Sequence, residues 1–250
     1  MFISQYLYQI LQKYAVNIAG AKAAGGAIYP VIDKWSNGYL VKAVYSGSLS
    51  KGTAVNLGTD ADIFISMSSN TPGTLSDLYN TLFNAVNKSI YPARKQNVSI
   101  GTTVNGYKLD LVPARRQSQN GNIHSLFKSK SNTWIQTNIT THINYVTNSN
   151  RTNEIKLTKI WSRLHGLDFP SLYLELAVID SLKNAKVNDL ENNFGKVIIY
   201  LRDEFAGKRF VDPANTNNVI SDDLSLAQKQ SIANKADLSA RQRNWNQVVW

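Results

Sequence analysis

Residues 46–64 read SGSLSKGTAVNLGTDADIF and contain a Gly-Ser turn followed by two carboxylates, one residue apart. An apolar run at residues 40–45 precedes the turn, and a strand is predicted over residues 59–67. Side chains at i and i+2 of a strand project from the same face, so Asp60 and Asp62 should point to one spot. Two carboxylates on one face repel each other unless a positive group lies between them, and Mg2+ prefers oxygen ligands. The stretch therefore predicts a strand that carries a metal-binding face.

The turn before this strand has the composition of a phosphate-binding turn. Gly47 allows a ligand to approach the backbone closely, and Ser48 offers a backbone N–H and a hydroxyl to phosphate oxygens. We therefore expect Ser48 to contact the terminal phosphates of a bound nucleotide. Exposed turn positions without function are the alternative for Asp60 and Asp62, and the turn and the strand around them argue against it.

A third carboxylate follows on a predicted hairpin. Residues 98–104 alternate in polarity up to Asn105-Gly106, which is the strongest signal for a two-residue hairpin loop. That register places Asp110 across from Gly101, where we expect room for a metal ion or a substrate beside the carboxylate. An ordinary polar position on the solvent face of the strand is the alternative for Asp110. Three acids can hold two Mg2+ ions, one activating an attacking hydroxyl and the other stabilising the leaving oxygen.

These motifs, in this order, resemble the nucleotidyltransferases of the DNA polymerase β superfamily. Within it, the chain is similar to the branch of bacterial cyclic-oligonucleotide synthases (CD-NTases), cyclic GMP-AMP synthase and 2'-5' oligoadenylate synthetase. Four stretches carry the resemblance: Gly47-Ser48 with Lys51-Gly52-Thr53, Asp60-Ala61-Asp62, LDLVPA at 109–114 and VDPANTNNV at 211–219. The helical segments at 156–161 and 171–175 are similar too.

The resemblance implies an enzyme that transfers a nucleoside monophosphate from a triphosphate to a ribose hydroxyl and releases pyrophosphate. Asp60 and Asp62 would bind both Mg2+ ions, with Mn2+ as a substitute, and Asp110 would complete the site and act as the base. ATP is the first choice of triphosphate. The product would be a cyclic or linear oligonucleotide, a second messenger in antiviral defence that a downstream effector senses.

The resemblance also implies contacts with the triphosphate from residues beyond the three acids. These nucleotide-binding candidates are Gly47, Ser48, Lys51, Thr53, Lys156, Lys159, Ser171 and Tyr173. A solvated basic helix face is the alternative for Lys156 and Lys159. Tyr173 is expected to stack on a base, with a core role as its alternative. Residues 212–218 are expected to line the cleft, or to form an Asx turn without function.

Charge and composition limit the partners. The 27 basic and 17 acidic residues give a net charge of +10, which favours polyanions such as nucleotides, RNA or DNA. The alternative is that the excess of lysine and arginine only solvates the protein surface. No run of about 18 apolar residues occurs, so we expect no membrane span, and we interpret the N-terminal residues as part of the fold rather than as a signal peptide. We expect a cytoplasmic protein without a membrane partner. The lack of cysteine excludes disulfides and the zinc element of cyclic GMP-AMP synthase.

The pattern along the chain predicts an α+β fold. A polymerase β-like nucleotidyltransferase lobe, a small mixed sheet with flanking helices, is expected at 1–138, and a helical lobe at 139–250 should close the nucleotide cleft. We expect one N-terminal helix, broken near Gly25-Gly26 and Pro30 and ending at Asn37-Gly38. After residue 139 the pattern predicts helices only.

Two other functions are open at this point. The first has the same chemistry with a different acceptor: template-independent addition to the 3' end of an RNA or DNA, or nucleotidylation of a protein or a small molecule. The second is a non-catalytic nucleotide or RNA binder that retains the fold. The presence of all three acids argues against the binder.

Overall fold

The computed structural model describes residues 3–58 and 60–250, without the side chains of Ile3 and Ser4. Thr59, the first residue of the predicted metal-binding strand, lies outside the described residues. No helix within the described ranges combines the length and the apolar character needed to cross a membrane. The α+β fold class, with a mixed sheet, flanking helices and a helical part, is confirmed.

The strands lie mainly in the first half of the chain and the helices dominate the second half. The helices are α1 (Ile3–Lys13), α2 (Ile18–Ser36), α3 (Gly47–Ser50), α4 (Leu75–Asn87), α5 (Ile139–Thr147), α6 (Thr152–Leu164), α7 (Ser171–Ser181), α8 (Leu190–Asp203) and α9 (Leu226–Ala240). The strands are β1 (Leu40–Tyr45), β2 (Ala61–Met67), β3 (Ala93–Lys95), β4 (Ile100–Val104), β5 (Tyr107–Arg116), β6 (His124–Lys128), β7 (Thr133–Thr137), β8 (Val211–Asp212) and β9 (Asn215–Val219).

The chain forms two compact units. The sheet unit consists of residues Asn17–Ser50 and 60–143, and the helical unit consists of residues 3–16, Lys51–Gly58 and Asn144–Trp250. The predicted boundary at 138/139 lies close to the change of unit at 143/144. The prediction differs from the structure in that α1 and the segment Lys51–Gly58 belong to the helical unit.

The sheet unit is built on a mixed sheet with the strand order β1-β2-β5-β4-β3, and β6 joins β5 to β7. Strands β2 and β5 are parallel, and the β4–β5 hairpin pairs Val104 with Tyr107, as its Asn-Gly loop predicts. The same register pairs Gly101 with Asp110, which confirms that part of the prediction. The parallel pair β2–β5 therefore brings the third acid, Asp110, beside Asp62.

One face of this sheet packs against α2 and α4. The buried side chains of that core include Ile28, Ile32, Ile63, Ile65, Leu82, Leu109 and Leu111. Successive side chains of a strand alternate between faces, so Asp62 lies on the opposite face from Ile63 and Ile65, as predicted. Helix α4 begins with the predicted capping box, in which Thr74 and Asp77 bond each other's backbone N–H.

The N-terminal region forms two helices, and the prediction of the break position was wrong. Asn17 caps α2 by accepting a bond from the Gly20 N–H at 3.0 Å, so a new helix begins there. Gly25 and Pro30 lie inside α2 without ending it. A Cβ on Gly25 would come within 1.8 Å of the Tyr45 hydroxyl, so this glycine permits close packing of helix on strand.

The helical unit encloses its own apolar core. Helix α1 contributes Leu7 and Ile10, and Tyr14 follows directly after it; all three are at most 8% exposed and join a core shared with α6, α7, α8 and α9. This buried stripe explains why α1 belongs to the helical unit.

The expectation of helices only after residue 139 was wrong, because β8 and β9 form a hairpin there. Asp212 stabilises its turn by accepting bonds from the Ala214 N–H at 2.7 Å and the Asn218 side-chain amide at 3.1 Å. An Asx turn is thus present in this segment. A role of the hairpin in lining a cleft stays a prediction.

Candidate active site

Two of the predicted acids are direct neighbours across the sheet. Asp62 of β2 pairs with Asp110 of β5, Asp110 pairs with Gly101 of β4, and Gly101 pairs with Arg94 of β3. Paired residues on adjacent strands project from the same face, so this row carries both carboxylates on one side. Asp60 immediately precedes β2 and is partly exposed.

Gly47 lies against the carboxylate of Asp62. Its φ is +55°, and a Cβ built there would be 1.8 Å from Asp62 Oδ2. The backbone N–H of Ser46 also donates to the Asp62 carbonyl at 2.9 Å. The glycine is therefore required by its left-handed backbone and by the closeness of the acid. Ser48, the predicted phosphate contact, lies in the short helix α3 that Gly47 begins.

Replacement of Gly47 by alanine should impair the site more than it impairs the fold. The left-handed conformation costs alanine roughly 1–2 kcal/mol, and the added methyl must also displace the Asp62 carboxylate. A displacement of about 1 Å can lower a turnover rate ~10²-fold. Pyrophosphate release and thermal unfolding of Gly47→Ala measure the two effects separately.

Gly38→Ala is the matched control, because Gly38 has a φ of +81° and open space around its Cβ position. It should show the backbone cost alone, with unchanged activity per folded molecule. Equal activity in the two variants would contradict the role assigned to the space at Gly47.

The environment of Asp110 favours protonation. Burial and the negative charge of Asp60 raise the pKa of Asp110 to about 6, against the opposing effects of a bond from Gln96 and the charge of Arg94. The Gln96 side-chain amide donates to Asp110 Oδ1 at 2.8 Å. An aspartate with its pKa closer to neutrality is suited to accept a proton from a hydroxyl.

The carboxylates differ from a preformed metal site in their spacing. Within residues 3–58 and 60–250, no group of three histidine or acidic side chains is close enough to form a ligand cluster. The donor chemistry nevertheless fits a hard divalent cation, because the site offers carboxylate oxygens. A cation beside Asp110 would also offset the repulsion from Asp60 that raises the pKa of Asp110.

A cavity of about 220 Å³ adjoins the acids, with Asp60, Asp110, Arg94, Lys108 and Gly101 among its lining residues. Sequence reasoning did not assign Arg94 or Lys108 to the site. The short strand β3 is the signal that finds Arg94, because its pairing of Arg94 with Gly101 places the arginine near Asp110. The space over Gly101, where room for a metal ion or a substrate was expected, is partly filled by the side chain of Gln96. A Cβ on Gly101 would lie 2.6 Å from Gln96 Nε2.

In the helical unit, three predicted nucleotide-binding residues meet at an acid that sequence reasoning missed. Glu175, which is 0% exposed, accepts bonds from Lys51 at 2.8 Å, Lys159 at 2.7 Å and Thr53 at 2.9 Å. Burial alone would raise the pKa of Glu175, but the two ammonium groups outweigh it and hold that pKa below its usual value. Glu175 lies within the segment 171–175, whose helical pattern alone did not single it out.

The other candidates in the helical unit do not join this group. Lys156 is partly exposed and Ser171 is exposed. Tyr173 is 0% exposed, and its ring lies 4.8–5.6 Å from the rings of Phe169, Phe205 and Phe210. Tyr173 therefore occupies the core position that was its alternative, and in this arrangement its ring packs on phenylalanines.

No protein-family model matches the chain, and no curated protein matches it. Solved structures do match. CdnG of Bradyrhizobium diazoefficiens, in complex with GTP, has a TM-score of 0.77 at 12% identity, over 100% of this chain and 95% of that one. CdnC of E. coli MS115-1 with ATP has a TM-score of 0.74 at 18% identity, over 94% of this chain and 89% of that one. The chain has the CD-NTase fold.

A third structure of this fold is the CdnE cyclic dinucleotide synthase of Elizabethkingia meningoseptica, with GTP and Apcpp. Its TM-score is 0.67 at 15% identity, over 91% of this chain and 92% of that one. The CD-NTase fold thus spans nearly the whole chain. The resemblance inferred from four short stretches is confirmed at the level of the fold.

Proposed function

We propose that this CD-NTase-fold protein is a nucleotidyltransferase that joins a nucleoside monophosphate to a ribose hydroxyl. The observation that carries the proposal is the pairing of Asp62 with Asp110 on one sheet face. Gly47 lies beside Asp62, and Asp60 is near enough to raise the pKa of Asp110. The acids that the chemistry requires are therefore neighbours in a fold shared with proteins solved in complex with ATP or GTP.

The reaction is a displacement at phosphorus. The hydroxyl oxygen attacks the α-phosphorus of the triphosphate and forms a new P–O bond. The α–β phosphoanhydride bond breaks, and pyrophosphate leaves with its electron pair. The hydroxyl proton passes to the carboxylate of Asp110, while the backbone N–H and the hydroxyl of Ser48 donate to the terminal phosphates. A divalent cation, Mg2+ or Mn2+, would neutralise charge on the phosphates. We assign Asp60, Asp62 and Asp110 as its ligands, which requires the three carboxylates to come closer together than they lie in this structure.

The product and its role belong to the same proposal. We assign to the protein a cyclic or linear oligonucleotide that serves as a second messenger in antiviral defence, made from ATP in the cytoplasm and sensed by an effector. The support is the description of one neighbour as a cyclic dinucleotide synthase. Nucleotide contacts by Lys51, Thr53, Lys156, Lys159, Ser171 and Tyr173 stay predictions.

A second candidate is template-independent addition to the 3' end of an RNA or DNA. The net charge of +10 favours it, because a polynucleotide acceptor brings many phosphates to the protein surface. Nucleotidylation of a protein or a small molecule has the same chemistry with another acceptor.

Incubation with labelled triphosphates and no primer separates these functions. We expect pyrophosphate release and a short oligonucleotide product, which mass spectrometry of reactions with all ribo- and deoxyribonucleoside triphosphates identifies. If the labelled nucleotide is incorporated only when RNA, DNA or protein is added, that molecule is the acceptor and the messenger product is refuted. If the wild-type protein releases no pyrophosphate with any triphosphate, in Mg2+ or Mn2+, the protein is a non-catalytic nucleotide or RNA binder.

A further inference from the structure

The carboxylate of Asp110 is held on one side by a glutamine. Gln96 Nε2 donates to Asp110 Oδ1 at 2.8 Å, and the Ser99 hydroxyl donates to Gln96 Oε1 at 2.9 Å. A hydroxyl donor on Oε1 and a carboxylate on the opposite side fix which end of the amide faces Asp110. The chain Ser99–Gln96–Asp110 is therefore directional, with each member donating to the next.

The main chain of Gln96 is fixed independently of its side chain. Its carbonyl accepts bonds from the hydroxyls of Tyr79 at 2.5 Å and Ser129 at 2.7 Å, and its N–H donates to the Ser99 carbonyl at 3.0 Å. These partners come from α4, from the segment after β6 and from the turn between β3 and β4. A side chain that begins from such a backbone has little freedom beyond its own rotamers.

The residue opposite Asp110 has the size that this arrangement requires. Gly101 has no φ in the left-handed range, so its backbone does not demand glycine. A Cβ there would lie 2.6 Å from Gln96 Nε2 and 3.3 Å from Arg94 Nη2. The nearest atoms are thus the ends of two side chains that face Asp110, and the missing Cβ leaves space for the Gln96 amide.

We propose that Gln96 is a positioning residue for Asp110 in the transferase reaction. The terminal torsion of an aspartate is broad, so a free carboxylate samples many orientations. By holding Oδ1, Gln96 directs Oδ2 towards the attacking hydroxyl. Ser99 orients the amide, and Gly101 leaves room for it. The inference rests on the proposed function, because it gives Asp110 the role of proton acceptor.

Two different substitutions remove the same contact. Gln96→Met retains the length of the side chain without its donor, and Gly101→Ala displaces the amide with a methyl. Each should lower kcat for pyrophosphate release roughly 10–100-fold, the usual effect of losing a partner that orients a reacting group, with KM for the triphosphate unchanged. The double variant should be no slower than the slower single variant, because both changes remove one interaction.

Controls separate positioning from stability. Gln117→Met removes a glutamine bond to the Ser125 hydroxyl elsewhere in the sheet unit, and Gly26→Ala adds a methyl where no atom lies within 4 Å. Both should retain the wild-type kcat. Ser99→Ala should lower kcat, whereas Ser99→Thr, which retains a hydroxyl, should restore it. Thermal unfolding of every variant reports the fraction folded.

A crystal structure of Gly101→Ala provides a measurement that needs no activity. We expect the Gln96 amide to have left hydrogen-bond distance of Asp110. Retention of that bond, an unchanged kcat in Gln96→Met, or additive losses in the double variant would overturn the positioning role while wild-type activity stands. Wild-type protein without pyrophosphate release would instead refute the proposed function, and this inference with it.

Discussion

Replacement of Asp60 and Asp62 together by asparagine should abolish pyrophosphate release and leave the protein folded. Asparagine retains the size of each side chain but removes the negative charge and one oxygen ligand that a divalent cation requires. The stability of the fold should not decrease, because the charge of Asp60 disfavours ionisation of the neighbouring Asp110. Like-charged acids at a site oppose folding, so we expect a melting temperature equal to or above that of the wild type.

The double variant Asp222→Asn with Asp223→Asn is the matched control, since it removes the same charge from two exposed neighbouring positions in the helical unit. It should retain full activity. Circular dichroism and thermal unfolding verify the fold, and a coupled assay measures pyrophosphate. Release at the wild-type rate from the Asp60 and Asp62 double variant would remove both acids from the mechanism.

The parts of the fold that the sequence predicts well depend on interactions between close neighbours in the chain. The Asn105-Gly106 loop sets the β4–β5 register, and with it the pairing of Asp110 with Gly101. The capping box at Thr74 likewise depends on residues three apart. The break before α2 depends on the cap at Asn17, whereas the glycines and the proline inside the helix wrongly indicate a later break.

The missed parts of the candidate site depend on contacts between distant segments. Gln96 matters because a strand pair brings it to Asp110, 14 residues away along the chain. Glu175 matters because Lys51, 124 residues away, folds back onto it. A polar residue in a loop or a glutamate in an apolar helix has no local feature that identifies such partners. The sequence therefore predicts the candidate acids more readily than the residues that contact them.

Glu175 should be a highly sensitive position for stability, because it is the shared acid of the buried ion cluster in the helical unit. Lys51 and Lys159 are each 7% exposed and share this carboxylate. Removal of one partner of a buried pair leaves the other charge uncompensated and costs about 3–5 kcal/mol. We therefore expect Glu175→Ala to lower the free energy of unfolding of the whole protein by that amount in urea denaturation at neutral pH.

Two variants show whether burial causes this loss. Asp237→Asn breaks an ion pair with Arg241 whose arginine is 72% exposed, and exposed pairs contribute below about 1 kcal/mol. The triple variant Lys51→Met, Glu175→Leu, Lys159→Met removes all three charges. It should recover most of the lost stability, because apolar residues of similar volume often replace a buried ion cluster without cost.

The dependence of this effect on pH follows from the lowered pKa of Glu175. A carboxyl whose pKa is lower in the folded protein than its ordinary value of 4.5 contributes stability above that value. The contribution disappears as the pH falls through the folded pKa, because the folded and unfolded carboxyls are then both protonated. The difference in unfolding free energy between wild type and Glu175→Ala should be constant above pH 4.5 and shrink below it. A difference that grows on acidification would mean that Glu175 is neutral in the folded protein and that the two lysines are compensated by other groups.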